Sequence, residues 1–357
     1  MTESSHLVSY RRAVMALVIV NVLWGSSFPF IKTLNLLTDQ HFGVDEATAS
    51  ASLRGAASAW VIGLRFAVAL VLFAIIRRDV IRRLRKPELF AGTVIGVFFC
   101  IGMVLQVSGL STIPASRSGF LTSLAVVWTP ILATVFERQR PRAVVLLGGV
   151  ISLVGVSILT GLLGWSGGVP RFASDGFSHW KTGDTLTLLA VLFFSAQIVA
   201  VDWFGKRLDS LAFTPSMFGT TAALSFVFFV FLQPSIPELG EASSAGEGWV
   251  SLTTQLPFWG LILLLSIFPS LIAFSLMNRY QPSVTPTQAS VLYTLEPLMA
   301  SAWAMFVPAL LSQWCGVDYQ NEHLTPQLLC GGAVLLLANF VALWPTKTSR
   351  STGEASA

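Results

Sequence analysis

Charge is what this chain has least of. Its 357 residues hold 22 Lys+Arg and 18 Asp+Glu, so 11% are charged. Ordinary soluble domains carry about 25%. Forty charges cannot coat a soluble protein of this size, which argues against a soluble enzyme, a disordered chain and a nucleic-acid binder. Cysteine is scarce too. Cys100, Cys315 and Cys330 form no disulfide framework and have no metal-ligand spacing. Cys100 and Cys330 fall in apolar runs and read as core packing, and Cys315 reads as a loop thiol. The four histidines, His6, His41, His179 and His323, lie in tails or expected loops without a His-Glu-x-x-His motif. No Gly-x-x-x-x-Gly-Lys-Ser/Thr loop is present to cradle a nucleotide phosphate, and no Gly-x-Ser-x-Gly with a buried His partner appears. The reading therefore expects no enzyme, no cofactor and no metal.

What is there is apolar length. Hydrophobic residues make up 54% of the chain, and mean hydropathy is +0.71. A bilayer core takes about 20 apolar residues per helix. Ten stretches qualify: 13–35, 57–76, 89–110, 117–136, 143–162, 184–204, 213–232, 258–278, 286–310 and 326–345. The first follows Arg11 and Arg12 but shows no cleavage site, and runs on through Trp24 and Phe30, so it is expected to remain as a helix. The expected class is an all-α integral membrane protein with ten transmembrane helices.

Cationic loops stay in the cytoplasm. With the N-terminus inside, the inner segments hold 16 of the 22 Lys and Arg: Arg11 and Arg12, the run Arg77 to Lys86, Arg138, Arg140, Arg142, Lys206, Arg207, Arg279, Lys347 and Arg350. The outer segments hold 4: Arg54, Arg117, Arg171 and Lys181. Lys32 and Arg65 lie within spans. The bias places both termini in the cytoplasm of a multi-pass protein of the cell membrane. The run Arg77–Lys86 reads as a topology signal, with anionic lipid as its alternative partner.

The two halves resemble one another. Ser118-Gly119-Phe120-Leu121, Trp128-Thr129-Pro130, Glu137-Arg138 and Gly148-Gly149 recur as Thr285-Pro286-Thr287-Gln288, Leu295-Glu296-Pro297, Glu322-His323 and Gly331-Gly332. Five spans per half make the second repeat enter from the opposite side, an arrangement found in alternating-access transporters. The expected organisation is a cytoplasmic tail 1–12, a first five-helix repeat 13–162, an outer connection 163–183, a second repeat 184–345 and a cytoplasmic tail 346–357.

These motifs carry a resemblance. Trp24-Gly25-Ser26-Ser27-Phe28, Arg65-Phe66, Pro130 with Glu137-Arg138, Gly183-Asp184 and Ala289-Ser290-Val291-Leu292 leading to Glu296-Pro297 stand in the order seen in the EamA-like branch of the drug/metabolite transporter superfamily. The resemblance covers about residues 13–345. Departures are the stretches 38–56 and 233–257 and an insertion near Gln313–Asn321. The resemblance implies ten helices in an inverted five-plus-five repeat, a central cavity, and transport, often export, of small metabolites or drugs.

Polar groups within spans are the candidate site, because each needs a partner or a wet cavity. Glu296 lies about 11 residues into its span, roughly 16 Å deep at 1.5 Å per residue. Pro297 follows and frees a carbonyl one turn back. Glu296 is the candidate proton or cation coupling site. Arg65, roughly 13 Å deep, is its candidate charge partner, a cap for a free carbonyl, or a bidentate anchor for a substrate carboxylate. Asn21, Trp24, Ser27, Gln106, Trp128, Gln197 and Tyr293 are the candidate substrate-binding residues, and Gln288 is a further polar group within a span. Asn21, Trp24 and Ser27 share a helical face by spacing, as do Ala289, Tyr293 and Glu296. Trp24, Trp128 and Tyr293 would serve as walls. Lys32 reads as snorkelling at the end of its span, Asp202 as interfacial beside Lys206, and Asp184 as complementing its helix N-terminus. Gly92, Gly96 and Cys100 form a small-residue face for close helix contact. Pro29, Pro130, Pro215, Pro269, Pro297 and Pro308 suggest kinked or broken helices. The expected partners are a small-molecule substrate, the lipid bilayer and protons, with no nucleic acid. A monomer and a homodimer both remain open. The functional expectation is a secondary transporter, with a passive facilitator or channel, or an intramembrane transferase, as alternatives.

Overall fold

A computed structural model gives the fold. It describes residues 3–45, 48–110, 112–113, 115–137, 143–159, 163–166, 169–172, 181–237, 245–323 and 326–342. The expected span ends at 160–162 and 343–345, the cations Arg138, Arg140, Arg142, Lys347 and Arg350, positions 167–168 and 173–180 of the connection, and the tail 346–357 lie outside those residues.

The chain is helical: α1 (Glu3–Phe42), α2 (Ala51–Ile76), α3 (Arg78–Arg82), α4 (Lys86–Leu110), α5 (Ala115–Ser123), α6 (Ala125–Glu137), α7 (Ala143–Leu159), α8 (Thr182–Gly205), α9 (Thr214–Leu232), α10 (Ala245–Thr253), α11 (Leu256–Leu265), α12 (Ala273–Tyr280), α13 (Pro286–Tyr293), α14 (Glu296–Ala304), α15 (Val307–Cys315) and α16 (Pro326–Ala342). A two-stranded antiparallel hairpin, Leu163–Ser166 with Val169–Phe172, joins α7 to the second half. Among the described residues, six helices are long and apolar enough to cross a membrane, and a seventh crossing forms if α13–α14 and α15, bent by 57°, are one span. Three shorter apolar helices, Leu121–Phe136, Ala143–Ile158 and Leu329–Ala342, accompany them.

Local chemistry sets the boundaries. Ser50 caps α2, its hydroxyl accepting from Leu53 N at 3.1 Å. Thr285 caps α13 with Pro286 in the first turn, and Gln288 returns the favour by accepting from Thr285 N at 3.0 Å. Gln288 is thus a capping residue and not a cavity group. Asp184 accepts from Lys181 N at 2.8 Å at the start of α8, the expected N-terminal role. Gly316, at φ 70°, closes α15 in the left-handed conformation that favours glycine. On the loop side of α2, Arg77 grips Asp79 with two bonds of 3.1 Å. The guanidinium holds that carboxyl below the usual carboxylate range.

Two expected spans are broken. The stretch 117–136 divides at Leu124 into α5 and α6, joined by tight turns in which Leu124 N donates to Leu121 O at 3.1 Å and Val127 N to Leu124 O at 2.9 Å. The stretch 286–310 divides at Thr294-Leu295, since Pro297 has no N–H to give Tyr293 O. Thr294 and Leu295 instead donate to Val291 and Leu292, each at 3.1 Å. Pro130 lies inside α6 whereas Pro297 opens α14, so these two prolines do not occupy equivalent places. The stretch 258–278 is interrupted by a π-helical turn, Ser266–Ile272, containing Pro269. The first helix runs ten residues past Lys32 to Phe42, so Lys32 is inside a helix and not at its end.

Close packing follows small residues. Gly92 and Gly96 let α4 approach α9, where an added Cβ would meet Phe213 O at 2.2 Å and Met217 O at 2.8 Å. Cys100 continues that face, its thiol 3.4 Å from Ser225 Oγ. The other cysteines depart from expectation. Cys330 is exposed on α16, because this short helix presents one face to α7 and the rest outward. Cys315 ends α15 and is half-buried. Asp202 is fully buried and bonds Lys206 Nζ at 2.5 Å. At 0% exposure it is a buried carboxylate held by a cation one turn on.

Candidate functional site

A cavity lies where α1, α2, α4, α5, α8, α12, α13 and α14 converge. The helix breaks shape it. The α5–α6 break presents Thr122, Ser123 and Ala125, and the α13–α14 break presents Tyr293, Glu296 and Pro297. Gly119 permits the two breaks to meet, since a Cβ there would already sit 3.3 Å from Pro297.

The walls are aromatic. Trp24 packs against Phe274 and Tyr293, each at 5.2 Å between ring centroids, and Phe274 continues to Phe99 at 4.7 Å. Phe194 adds a further edge, 6.2 Å from Phe99. Such tilted pairs are favourable and stiff. Polar groups enter singly. Gln106 Nε2 donates to Thr122 Oγ1 at 2.8 Å, which in turn donates to Ser118 O at 2.8 Å. Tyr293 OH donates to Gln281 Oε1 at 2.8 Å, and Gln281 Nε2 to Ile198 O at 2.8 Å, tying α13 to α8. Ser27 Oγ donates to Trp24 O at 2.6 Å. Buried Trp24 Nε1 and Gln197 Nε2 have no hydrogen-bond partner among the described residues. Arg65 Nε donates to Ser270 Oγ at 2.5 Å.

Of the residues singled out from sequence, the cavity brings together Trp24, Ser27, Arg65, Gln106, Gln197, Tyr293 and Glu296. It does not include Asn21 or Trp128. Asn21 is buried and spends its amide on Leu17 O at 2.7 Å. Trp128 is 40% exposed, because the tight turn at Leu124 rotates α6 away from the register of α5. Arg65 and Glu296 face the same cavity without a direct ion pair between them; the bond of Arg65 goes to Ser270. Sequence reasoning missed Ser270, Phe274, Phe99, Phe194, Thr122 and Ser123. The paired serines flanking Pro269 in an apolar span were the available signal for Ser270; the phenylalanines had none.

A second cavity lies along the later turns of α1, lined by Lys32, Asn35, Asp39, Asp45, Arg54 and Asp318 among others. Arg54 and Asp39 form an ion pair there that joins α2 to α1, and Arg54 also donates to Asp45 O at 3.0 Å.

The family model of the EamA-like transporter family matches residues 11–161 and 181–317. An uncharacterized transporter of Archaeoglobus fulgidus is 24% identical over 332 residues, covering 91% of this chain and 84% of the relative. The uncharacterized transporter YdfC of Bacillus subtilis is 25% identical over 301 residues, covering 83% and 84%. A solved crystal structure superposes with a TM-score of 0.57 at 18% identity, covering 96% of this chain and 99% of the other. That likeness bears on the fold alone.

Proposed function

The chain belongs to the EamA-like transporter family, and from that membership we propose that it is a secondary transporter, probing one cavity alternately from each side of the cell membrane and exporting small metabolites or drugs. As a family member with several membrane-crossing helices it is a multi-pass membrane protein. The proposal adds ten crossings: the six long helices, the bent α13–α14–α15 pair and the three shorter apolar helices. It adds an inverted pair of five-helix repeats, 13–162 and 184–345, joined by the connection 163–183, with the tails 1–12 and 346–357 in the cytoplasm.

The observation that carries the reading is the symmetry of the packing. The helix α4 packs on α8 as α12 packs on α1, and α5–α6 pack on α8 as α13–α14 pack on α1. The remaining helices pair across the halves, α2 with α9 and α7 with α16. Within the last seam, a Cβ on Gly148 would lie 3.0 Å from Ala338 O, and one on Gly155 would lie 3.1 Å from Gly331 O. The offset between Gly148 and Gly331 carries one contact onto the other. This supports the alignment of those glycines and a two-fold relation between the halves. The cavity is walled by helices of both halves, where inverted-repeat carriers place their substrate. Glu296 is the group proposed to couple solute movement to protons.

The test is flux through the purified protein alone in sealed liposomes. The proposal expects transport of a small organic solute that saturates with concentration, is accelerated by the same solute on the far side, and needs no nucleotide. Flux that rises linearly without acceleration from the far side would instead fit a passive channel. A requirement for ATP would overturn the proposal.

A further inference from the structure

Span α11–α12 carries a π-helical turn at Ser266–Ile272. Such turns inside α-helices are frequent at functional sites. Pro269 within it cannot donate to Leu265 O, and the ladder loosens there. The turn aims two fully buried hydroxyls at one residue of α2. Ser266 Oγ, 2.6 Å from Ile262 O and 3.0 Å from Arg65 O, shares its one proton between them, and Arg65 Nε donates to Ser270 Oγ at 2.5 Å. The arginine side chain is therefore held at Nε by Ser270.

Arg65 is 2% exposed and lines the cavity. A guanidinium has five N–H donors in a rigid fork. Here the Nε donor is taken by Ser270, and the two terminal nitrogens make no hydrogen bond within the described residues. Glu296 lines the same cavity and acts on Arg65 through its charge, without a hydrogen bond to it among the described residues. Two other buried donors, Trp24 Nε1 and Gln197 Nε2, have no partner among the described residues. Buried donors left without acceptors are costly, and the ligand that matches them is rich in acceptors. A carboxylate suits the free edge of a guanidinium because both oxygens can accept together. The aromatic walls suit an apolar body. Glu296, the one carboxylate of the lining, disfavours a second negative charge on the ligand.

We infer that this cavity takes organic monocarboxylates with an apolar body, held by the terminal nitrogens of Arg65, and that Ser270 is the positioning residue that aims them. The inference rests on reading the cavity as the solute site, and its test is one of binding, so it stands or falls apart from flux.

The experiment is calorimetric titration of the detergent-purified full-length protein with 3-phenylpropanoate and octanoate, each against its carboxamide. A charge-assisted bidentate bond should make each acid bind about tenfold or more tighter than its amide. Ser270→Ala should lower that acid-to-amide ratio several-fold while leaving the amide affinity unchanged, and Ser270→Thr, which keeps the hydroxyl, should restore it. Equal binding of acid and amide, no binding of either acid, or equal weakening of both ligands by Ser270→Ala would overturn the inference. Should Ser270→Ala not fold, Arg65→Lys decides. It keeps the charge and loses the fork, so the ratio must fall; an unchanged ratio overturns the inference. Acid-selective binding without flux would overturn the transport proposal and leave this one standing.

Discussion

Glu296 opens α14 directly after a helix break and faces a cavity walled mainly by aromatic rings. Among the described residues that line the cavity, Glu296 is the one acid and Arg65 the one base, and Arg65 is bonded to Ser270. If Glu296 is the coupling group, Glu296→Gln should abolish the dependence of flux on a pH gradient while the melting temperature is kept. Coupling that survives the substitution would remove Glu296 from that role. Gly25 has a different task. A Cβ there would lie 2.7 Å from Ala300 N and from Met299, so α1 touches the backbone of α14 just beyond Glu296. Gly25→Ala should force the two apart at a cost of about 1–3 kcal/mol, read as a lower melting temperature. An unchanged melt would mean that the contact is soft. At this scale the sequence was informative where a polar residue stands in an apolar run, as with Gln106, Gln197 and Glu296. It was uninformative for Phe99 and Phe274, because a phenylalanine in an apolar span looks the same facing lipid or cavity. Asn21, which helical spacing put on the face of Trp24 and Ser27, donates its Nδ2 to Leu17 O and does not line the cavity, and Trp128, expected as a wall, lies past an unmarked break.

The helices that were legible are those built from one uninterrupted apolar run with polar flanks. The expected stretches 89–110, 184–204 and 213–232 match α4, α8 and α9 within three residues at each end. The broken elements were less legible, since composition reports apolarity and not where the hydrogen-bond ladder is interrupted. Pro297 marked its break. Leu124 had neither proline nor glycine to mark it, and Pro130 suggested a break six residues too late. The seam between α7 and α16 depends on small residues: a Cβ on Gly148 would lie 2.5 Å from that of Ala342. Gly148→Leu should therefore separate the pair and cut the yield of monodisperse protein in size-exclusion chromatography. Leu336→Ala, at an outward position on the same element with 56% exposure, should shift stability by no more than about 0.5 kcal/mol. Equal damage from both would contradict the assigned seam.

For the whole molecule, the proposed relation between the two halves rests on packing pairs that repeat, and in the sequence on a few glycines and the order of motifs. The ends of the molecule differ. One end of α2 bears Arg77 in a basic run, and the other bears Arg54 tied to Asp39 of α1. A carrier with one cavity must expose it to each side in turn, and that is the central claim. Ser123 lines the cavity at the α5–α6 break and is small enough to become cysteine without repacking. The decisive measurement is labelling of Ser123→Cys, in a background of Cys100→Ala, Cys315→Ser and Cys330→Ala, by a charged membrane-impermeant thiol reagent in sealed vesicles of each orientation. The account predicts labelling from both sides, slowed on both by saturating transported solute. Labelling from one side only, whatever the solute concentration, would contradict it.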